Sequence, residues 1–260
     1  TRFGGNPLAV VLATDELSGE QMQAIAREFN LSETVFVRKP ANPAHSAAVR
    51  IFTPNGEVPF AGHPTIGTAI LLAESKTSSA ETEQDAIITL EQQVGVVRVG
   101  VCLKPGEPGF AEFDAPKLPQ DAGALPPVDK LAAGLGLISN EIGFENHRPR
   151  CFAAGPAFAM IPVSTLEAIA KARVCQPHWR AAFDEQGIVG AFLYTRQCEH
   201  TTSAFNARLF ARGIGIPDDP ATGSAAFCLA GAMHHFYDTQ DGMHKRAVEQ
   251  GYEMGRPSQI

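Results

Sequence analysis

Pro64-Thr65-Ile66-Gly67-Thr68-Ala69 and Pro220-Ala221-Thr222-Gly223-Ser224-Ala225 are two copies of one pattern, P-x-x-G-[ST]-A, set 156 residues apart. Upstream of each lies an arginine, a branched aliphatic residue and a phenylalanine: Arg50-Ile51-Phe52 and Arg208-Leu209-Phe210. The arginine precedes the proline by 14 residues in the first copy and by 12 in the second. An ionisable residue, His63 or Asp219, stands directly before each proline. A strand before the motif and an apolar helix after it recur in both copies, so the chain reads as an internal duplication. Proline is tolerated in the first turn of a helix, where its missing N–H is no loss. The glycine and small hydroxyl residue that follow leave N–H groups uncovered at the positive end of the helix, and such donors suit an anion. Two such helix starts, facing one another, would grip a small anionic molecule between two lobes. The plainer alternative is a pair of well-capped buried helices.

Working outward, Asn6–Leu12 reads as a buried strand entered from the Gly4-Gly5 turn. Ser18 and Gln21 have the spacing of a capping box. Met22, Ile25, Ala26 and Phe29 then follow at helical spacing, with Asn30 as the C-cap. Thr34–Val37 and Ala48–Thr53 read as strands, the run after Pro64 to about Ala73 as a buried helix, and Ile87–Glu91 with Val94–Leu103 as a hairpin. Six prolines between Pro105 and Pro127 mark the boundary between two halves. Beyond it come a helix at Val128–Leu135, strands at Cys151–Ala154 and Phe158–Val163, and a helix at Thr165–Ala172. Strands at Val189–Thr195 and Ala204–Phe210 lead into an apolar helix from Thr222 to Phe236. The expected division is a first lobe of residues 1–105, a second of 106–246, and a closing segment, 247–260, that returns toward the first lobe.

Composition narrows the class. The chain has 260 residues, 44% of them hydrophobic and only 19% charged, with 24 glycines and 19 prolines. A net charge of −7 speaks against nucleic acid and anionic membrane surfaces as partners, while leaving room for a locally positive site. Five cysteines, an odd number without CxxC spacing, point to a reducing, cytoplasmic setting. No signal peptide is visible, the first residue is Thr1, and no stretch is read as a membrane span.

Several near misses exclude other chemistries. Gly62-His63-Pro64-Thr65-Ile66-Gly67-Thr68 has the spacing of a phosphate loop but Thr68 where lysine is needed. No G-x-G-x-x-G follows a strand, and no HExxH exists. His234 and His235 are adjacent on a helix, about 100° apart, and cannot both face one metal. Cys198 and His200 would share one strand face, but lack a third group to make a nucleophilic site.

Five ordered motifs, spread over nearly the whole chain, resemble the PhzF family of phenazine-biosynthesis-like isomerases. They are Gly5–Val11, Leu31–Val37, Gly62–Thr65, Asp219–Ala225 and the closing Gln250–Ser258. The resemblance implies an α+β fold like that of diaminopimelate epimerase. Its two pseudo-symmetric lobes are each a curved, mostly antiparallel sheet wrapped around a central helix. It also implies an active site in the cleft between lobes, a homodimer, and neither metal nor organic cofactor. Family members carry a further strand at each end, so the edge strands are where this chain departs from the pattern.

The same resemblance assigns Glu33 as the general acid/base that takes a proton from carbon and redelivers it elsewhere on the substrate. Glu33 lies in an uncharged stretch, Leu31–Val37, where desolvation would raise a carboxyl pKa toward the working pH. The bland alternative is a cap or a solvated charge. His63 and Asp219 would bind and polarise amino or hydroxyl groups, although Asp219 before Pro220 would also serve as an N-cap. Gly62, Thr222, Gly223 and Ser224 would bind the substrate carboxylate. Epimerases and proline racemases of this fold carry a cysteine at each helix start. Here those places hold His63 and Asp219, and Cys228 lies one turn into its helix. The expected function is therefore a cofactor-independent isomerase that moves a proton on a small carboxylated amino or hydroxy substrate. The alternatives are a non-catalytic small-molecule binder and a cysteine-dependent epimerase or racemase.

Overall fold

The computed structural model describes residues 4–76, 82–237 and 240–260. Among these the chain forms two compact units: residues 7–116, and 117–260 together with 4–6. The first contains β1 (Ala9–Val11), α1 (Gly19–Phe29), β2 (Thr34–Arg38), β3 (Ala47–Phe52) and β4 (Glu57–Val58). It continues with α2 (Gly62–Lys76), β5 (Gln84–Gln92), β6 (Gly95–Leu103) and β7 (Phe110–Phe113). The second opens with β8 (Gln120–Ala124), α3 (Val128–Leu135), β9 (Arg150–Ala153) and β10 (Ala157–Pro162). Then come α4 (Leu166–Lys171), α5 (His178–Ala182), β11 (Gly190–Thr195), β12 (Phe205–Ala211) and β13 (Ile216–Asp219). Last are α6 (Gly223–Phe236), β14 (Val248–Gln250) and β15 (Ser258–Gln259).

The duplication is written in the pairing. The first sheet runs β1-β2-β3-β5-β6-β7, with β4 on β3; the second runs β15-β14-β12-β11-β10-β9-β8, with β13 on β12. Matching β1, β2, β3, β4, β5 and β6 to β10, β11, β12, β13, β14 and β15 preserves every parallel and antiparallel pairing. The arginines of the repeated motif keep one role. Arg50 pairs with Glu57 on β4 through bonds of 2.7 and 2.6 Å and lies 5.1 Å over the Phe52 ring. Arg208 pairs with Asp218 on β13 at 3.0 and 2.8 Å and lies 4.7 Å over Phe210. The Arg-x-Phe pattern thus fixes a charge pair and a cation–π contact on one strand face.

Each sheet curves around its central helix. α2 packs on β5, β6 and β7 through Ala69 and Ala73, while α6 packs on β8, β9 and β10 through Ala225, Cys228, Leu229 and Ala232. Both helices are apolar with little preference between their faces, as buried helices are. Small residues permit close approach: a Cβ added at Gly67 would lie 2.7 Å from the Leu8 side chain, and one at Gly231 2.8 Å from Pro119.

Local signals hold well in α1. Ser18 accepts from the Gln21 N–H at 3.2 Å, Gln21 Oε1 accepts from the Ser18 N–H at 2.9 Å, and Asn30 ends the helix at φ 50°, ψ 36°. Met22 and Ala26 are buried against Phe36 and Phe52, whereas Phe29, at the last turn, is 51% exposed.

Elsewhere the structure differs from expectation. The Pro105–Pro127 stretch contains both β7 and β8, and the units divide after Pro116. Residues 247–260, expected to return toward the first lobe, build β14 and β15 on the second sheet, because Val248–Gln250 pair in parallel with Phe205–Ala207. At the other end, Gly4–Asn6 belong to the second unit. Gly5 N–H donates to Pro257 O at 3.3 Å, and Arg256 Nε donates to Gly5 O at 2.8 Å. The strand expected over Asn6–Leu12 shrinks accordingly to Ala9–Val11.

Gly251 closes β14 at φ +85°, and a Cβ there would lie 2.8 Å from Pro220 O and closer still to Arg256 O. Gly251→Ala combines backbone strain with backbone overlap and should cost about 3 kcal/mol or more. Urea unfolding measures this; a loss below about 1 kcal/mol would contradict the packing described.

Candidate active site

In the first unit, Asn30 turns the chain out of α1 and delivers Glu33 one residue before β2. Thr34, Val35 and Phe36, which follow, are fully buried. The β4–α2 connection brings His63 to the first turn of α2, with Nδ1 3.6 Å from Glu33 Oε2. The two side chains are 18% and 14% exposed, His63 and Glu33 respectively. Burial pulls His63 down to about 4, against a smaller upward pull from its bond to the Pro7 backbone. The imidazole is therefore neutral at pH 7, and at 3.6 Å the contact is a loose juxtaposition rather than an ion pair. Nε2 of His63 is buried and has no hydrogen-bond partner among the described residues. This half-site sets a carboxyl group beside a neutral imidazole and offers one imidazole nitrogen to a guest.

In the second unit, β13 ends at Asp219, which is 4% exposed. Asn6 Nδ2 donates to Asp219 Oδ1 at 2.8 Å and to Ala221 O at 3.0 Å, and the Thr222 hydroxyl donates to Asp219 Oδ2 in a short bond. The N-cap of α6 is Thr222 rather than Asp219, and its hydroxyl makes no cap bond because it is turned to the carboxylate. Gly223 and Ser224 open α6, so their N–H groups are not taken by the capping side chain. The structure thus brings Glu33 together with His63 and Gly62, and separately brings Asp219 together with Thr222, Gly223 and Ser224.

Two residues the sequence reading passed over belong here: Asn6, read as a strand entrance, and Gln250. Gln250 Nε2 donates to Asp219 O at 2.6 Å and to Thr222 Oγ1 at 2.9 Å. A signal for it existed, since Glu91-Gln92 and Glu249-Gln250 form a second repeat. Each glutamate accepts two consecutive backbone N–H groups, of Ala41 and Asn42 or of Glu199 and His200. Each glutamine reaches back to the threonine in the first turn or cap of the preceding helix, Gln92 bonding Thr65 Oγ1 at 2.9 Å.

The cysteines are poorly placed for chemistry. Cys228 is fully buried within α6, and burial pushes its thiol up to about 12. Cys198 and His200 lie in the loop after β11 instead of on a strand, and burial raises the Cys198 thiol to about 11. No group of three or more metal-ligating side chains occurs among the described residues. No helix among them is long and apolar enough to cross a membrane.

A family model described as "Phenazine biosynthesis-like protein", PhzC-PhzF, matches residues 1–260. The chain belongs to the PhzF family. An uncharacterized isomerase of Mesorhizobium japonicum is 46% identical over all of this chain and 85% of its own length. The trans-2,3-dihydro-3-hydroxyanthranilate isomerase of Pseudomonas aeruginosa is 35% identical over 98% of this chain and 84% of its own. A PhzF-family crystal structure from Bacillus anthracis superposes with a TM-score of 0.84 at 24% identity, covering 98% of this chain and 83% of that one. That likeness establishes the fold. PhzF homologues are named isomerases, and this chain is an enzyme of that class.

His147 is the other histidine held neutral, drawn down to about 4 by burial, with its ring nitrogens on Tyr194 at 2.9 Å and Tyr237 at 2.6 Å. Unfolded imidazoles protonate near pH 6.5. Between pH 6.5 and 4 the unfolded chain therefore binds more protons than the folded one, so stability falls as pH drops through this window. Each group accounts for on the order of 2–3 kcal/mol of that loss. The gap between urea midpoints at pH 7.5 and 4.5 should narrow clearly in His63→Gln; an unchanged gap would mean that His63 protonates freely in the folded protein.

Proposed function

We propose that this protein is a cofactor-independent isomerase of a small carboxylated substrate bearing an amino or hydroxyl group, with Glu33 as its single shuttling acid/base. The observation that carries this reading is the Glu33–His63 juxtaposition, a carboxylate held beside a neutral imidazole at the edge of a buried strand. In the proposed step the Glu33 carboxylate removes a proton from a substrate carbon and becomes the acid. The electron pair left behind shifts along the substrate, and Glu33 returns the proton, partly exchanged with solvent, at another carbon. Reactant and product are then isomers, and the enzyme is restored. Neutral His63, whose one N–H goes to the Pro7 carbonyl, accepts one hydrogen bond from the substrate without adding charge. Asp219 accepts from the amino or hydroxyl group, and Thr222, Gly62, Gly223 and Ser224 hold the carboxylate. A homodimer in the cytoplasm completes the reading.

A one-base scheme is supported by the register of the duplication. Aligning Arg50 with Arg208 sets Glu33 against Gly190, where a Cβ would lie 2.7 Å from Phe210 O. The second unit therefore has no room for an equivalent acid. A thiol pair is disfavoured by Cys228, which is buried and held protonated.

The test uses trans-2,3-dihydro-3-hydroxyanthranilate, the compound in the Pseudomonas aeruginosa relative's name, incubated with the protein in D₂O and followed by proton NMR. Isomerisation with deuterium entering at carbon is expected, falling about 10²–10⁴-fold in Glu33→Gln. Equal rates in parent and Glu33→Gln would rule out the assignment. Cys228→Ala should retain turnover within about twofold, since a buried protonated thiol takes no part in the chemistry.

A further inference from the structure

Asp219 is held by more hydrogen bonds than a helix start requires. Gln250, with no exposed surface, donates through Nε2 to Asp219 O at 2.6 Å and to Thr222 Oγ1 at 2.9 Å, while its Oε1 accepts from Thr222 N–H at 3.2 Å. The orientation of this amide is dictated by its partners. A backbone carbonyl can only accept and a backbone N–H can only donate, so Nε2 must face Asp219 O and Oε1 must face Thr222 N. Thr222 Oγ1 consequently receives a proton from Gln250, and its own single proton goes to Asp219 Oδ2. Asn6 Nδ2 meets the other carboxylate oxygen at 2.8 Å.

The first unit contains the same device with a different recipient. Gln92 donates to Thr65 Oγ1 at 2.9 Å, and Thr65 passes its proton to Ala61 O at 2.8 Å. The neighbouring charges of the second unit are engaged elsewhere: Asp218 by Arg208, Glu249 by Glu199 N, His200 N and Asn206, and Arg256 by the carbonyls of Gly4 and Gly5.

We propose that Gln250 is a positioning residue for Asp219. By donating to the Thr222 hydroxyl it commits that hydroxyl's proton to Asp219 Oδ2, and so fixes the carboxylate as the acceptor of the substrate's amino or hydroxyl hydrogen. This rests on the reading of Asp219 as a substrate-binding group.

The experiment needs no substrate for its main readout. Protein labelled with ¹³C at the aspartate carboxyls is titrated by NMR, with the Asp219 resonance assigned through Asp219→Asn. Thr222→Val removes a donor to the carboxylate and should raise the Asp219 midpoint by about one pH unit. Gln250→Met should raise it in the same direction. The double variant should go no further than Thr222→Val alone, because both changes act through one hydroxyl. A Gln250→Met midpoint within about 0.2 of the parent's, or shifts that add in the double variant, would overturn the proposal. If Gln250→Met does not fold, Gln250→Asn withdraws the amide by one methylene and is read in the same way. Isotope exchange in Asp219→Asn separates the two claims. Unchanged exchange overturns the substrate-binding reading and leaves the coupling to Gln250 standing, whereas additive midpoints overturn the positioning role and leave that reading standing.

Discussion

The structure depends on a parallel strand laid beside the strand that precedes each central helix. β5 pairs in parallel with β3, and β14 with β12. Successive residues of such a strand point to opposite faces, so a Glu-Gln pair can serve two tasks at once. The glutamate turns to one face and accepts from two loop N–H groups, and the glutamine turns to the other, toward the threonine at the helix start. Without this strand, the helix starts would have neither their side-chain partners nor a fixed height against the sheet. Everything assigned to His63 and Asp219 follows from that placement.

The two units share a scaffold but not a chemistry. Where the first has Glu33 the second has Gly190, closed off by Phe210 O; where the first has His63 the second has Asp219. Duplication supplied two equivalent helix starts, and divergence gave one a neutral imidazole beside an acid and the other a carboxylate with a donor at each oxygen. A symmetric two-base site would need a thiol or carboxyl on both sides. The second unit has Gly190, crowded by Phe210 O, where the first has Glu33, and its Cys228 is buried within α6.

Local patterns in the sequence were read correctly where the cause is local. The capping box at Ser18 and Gln21, the left-handed Asn30 and the extent of α3 all depend on neighbours within a few residues. The Arg-x-Phe and P-x-x-G-[ST]-A motifs reveal the duplication because both recur in the same order at a nearly constant separation. Short strands escaped: β4 has two residues and β13 four, too few for a periodic signal, although each carries the acid that pairs with a motif arginine. Cys198 and His200 looked like a strand face because alternation over three residues cannot distinguish strand from loop. Asn6 and Gln250 were missed as site residues because their partners lie 213 and 31 residues away. Such contacts leave no trace in local spacing.

The bond from Asn6 to Asp219, with the clasp of Arg256 on Gly4 and Gly5, has a consequence for the order in which the protein takes shape. Gly4–Asn6 precede the first unit in the chain yet belong to the second, which is made after it. The first sheet can close while the chain is still growing, but the Asp219 turn waits for Gln250 and Arg256, far beyond that sheet in the sequence. Closing so long a loop costs little more than closing one half its length, since the entropy grows only with the logarithm of separation. The cost lies in time, because the opening segment must stay unpaired until its partners emerge. The imidazole half-site can thus take shape before the carboxylate half-site, which needs residues made much later.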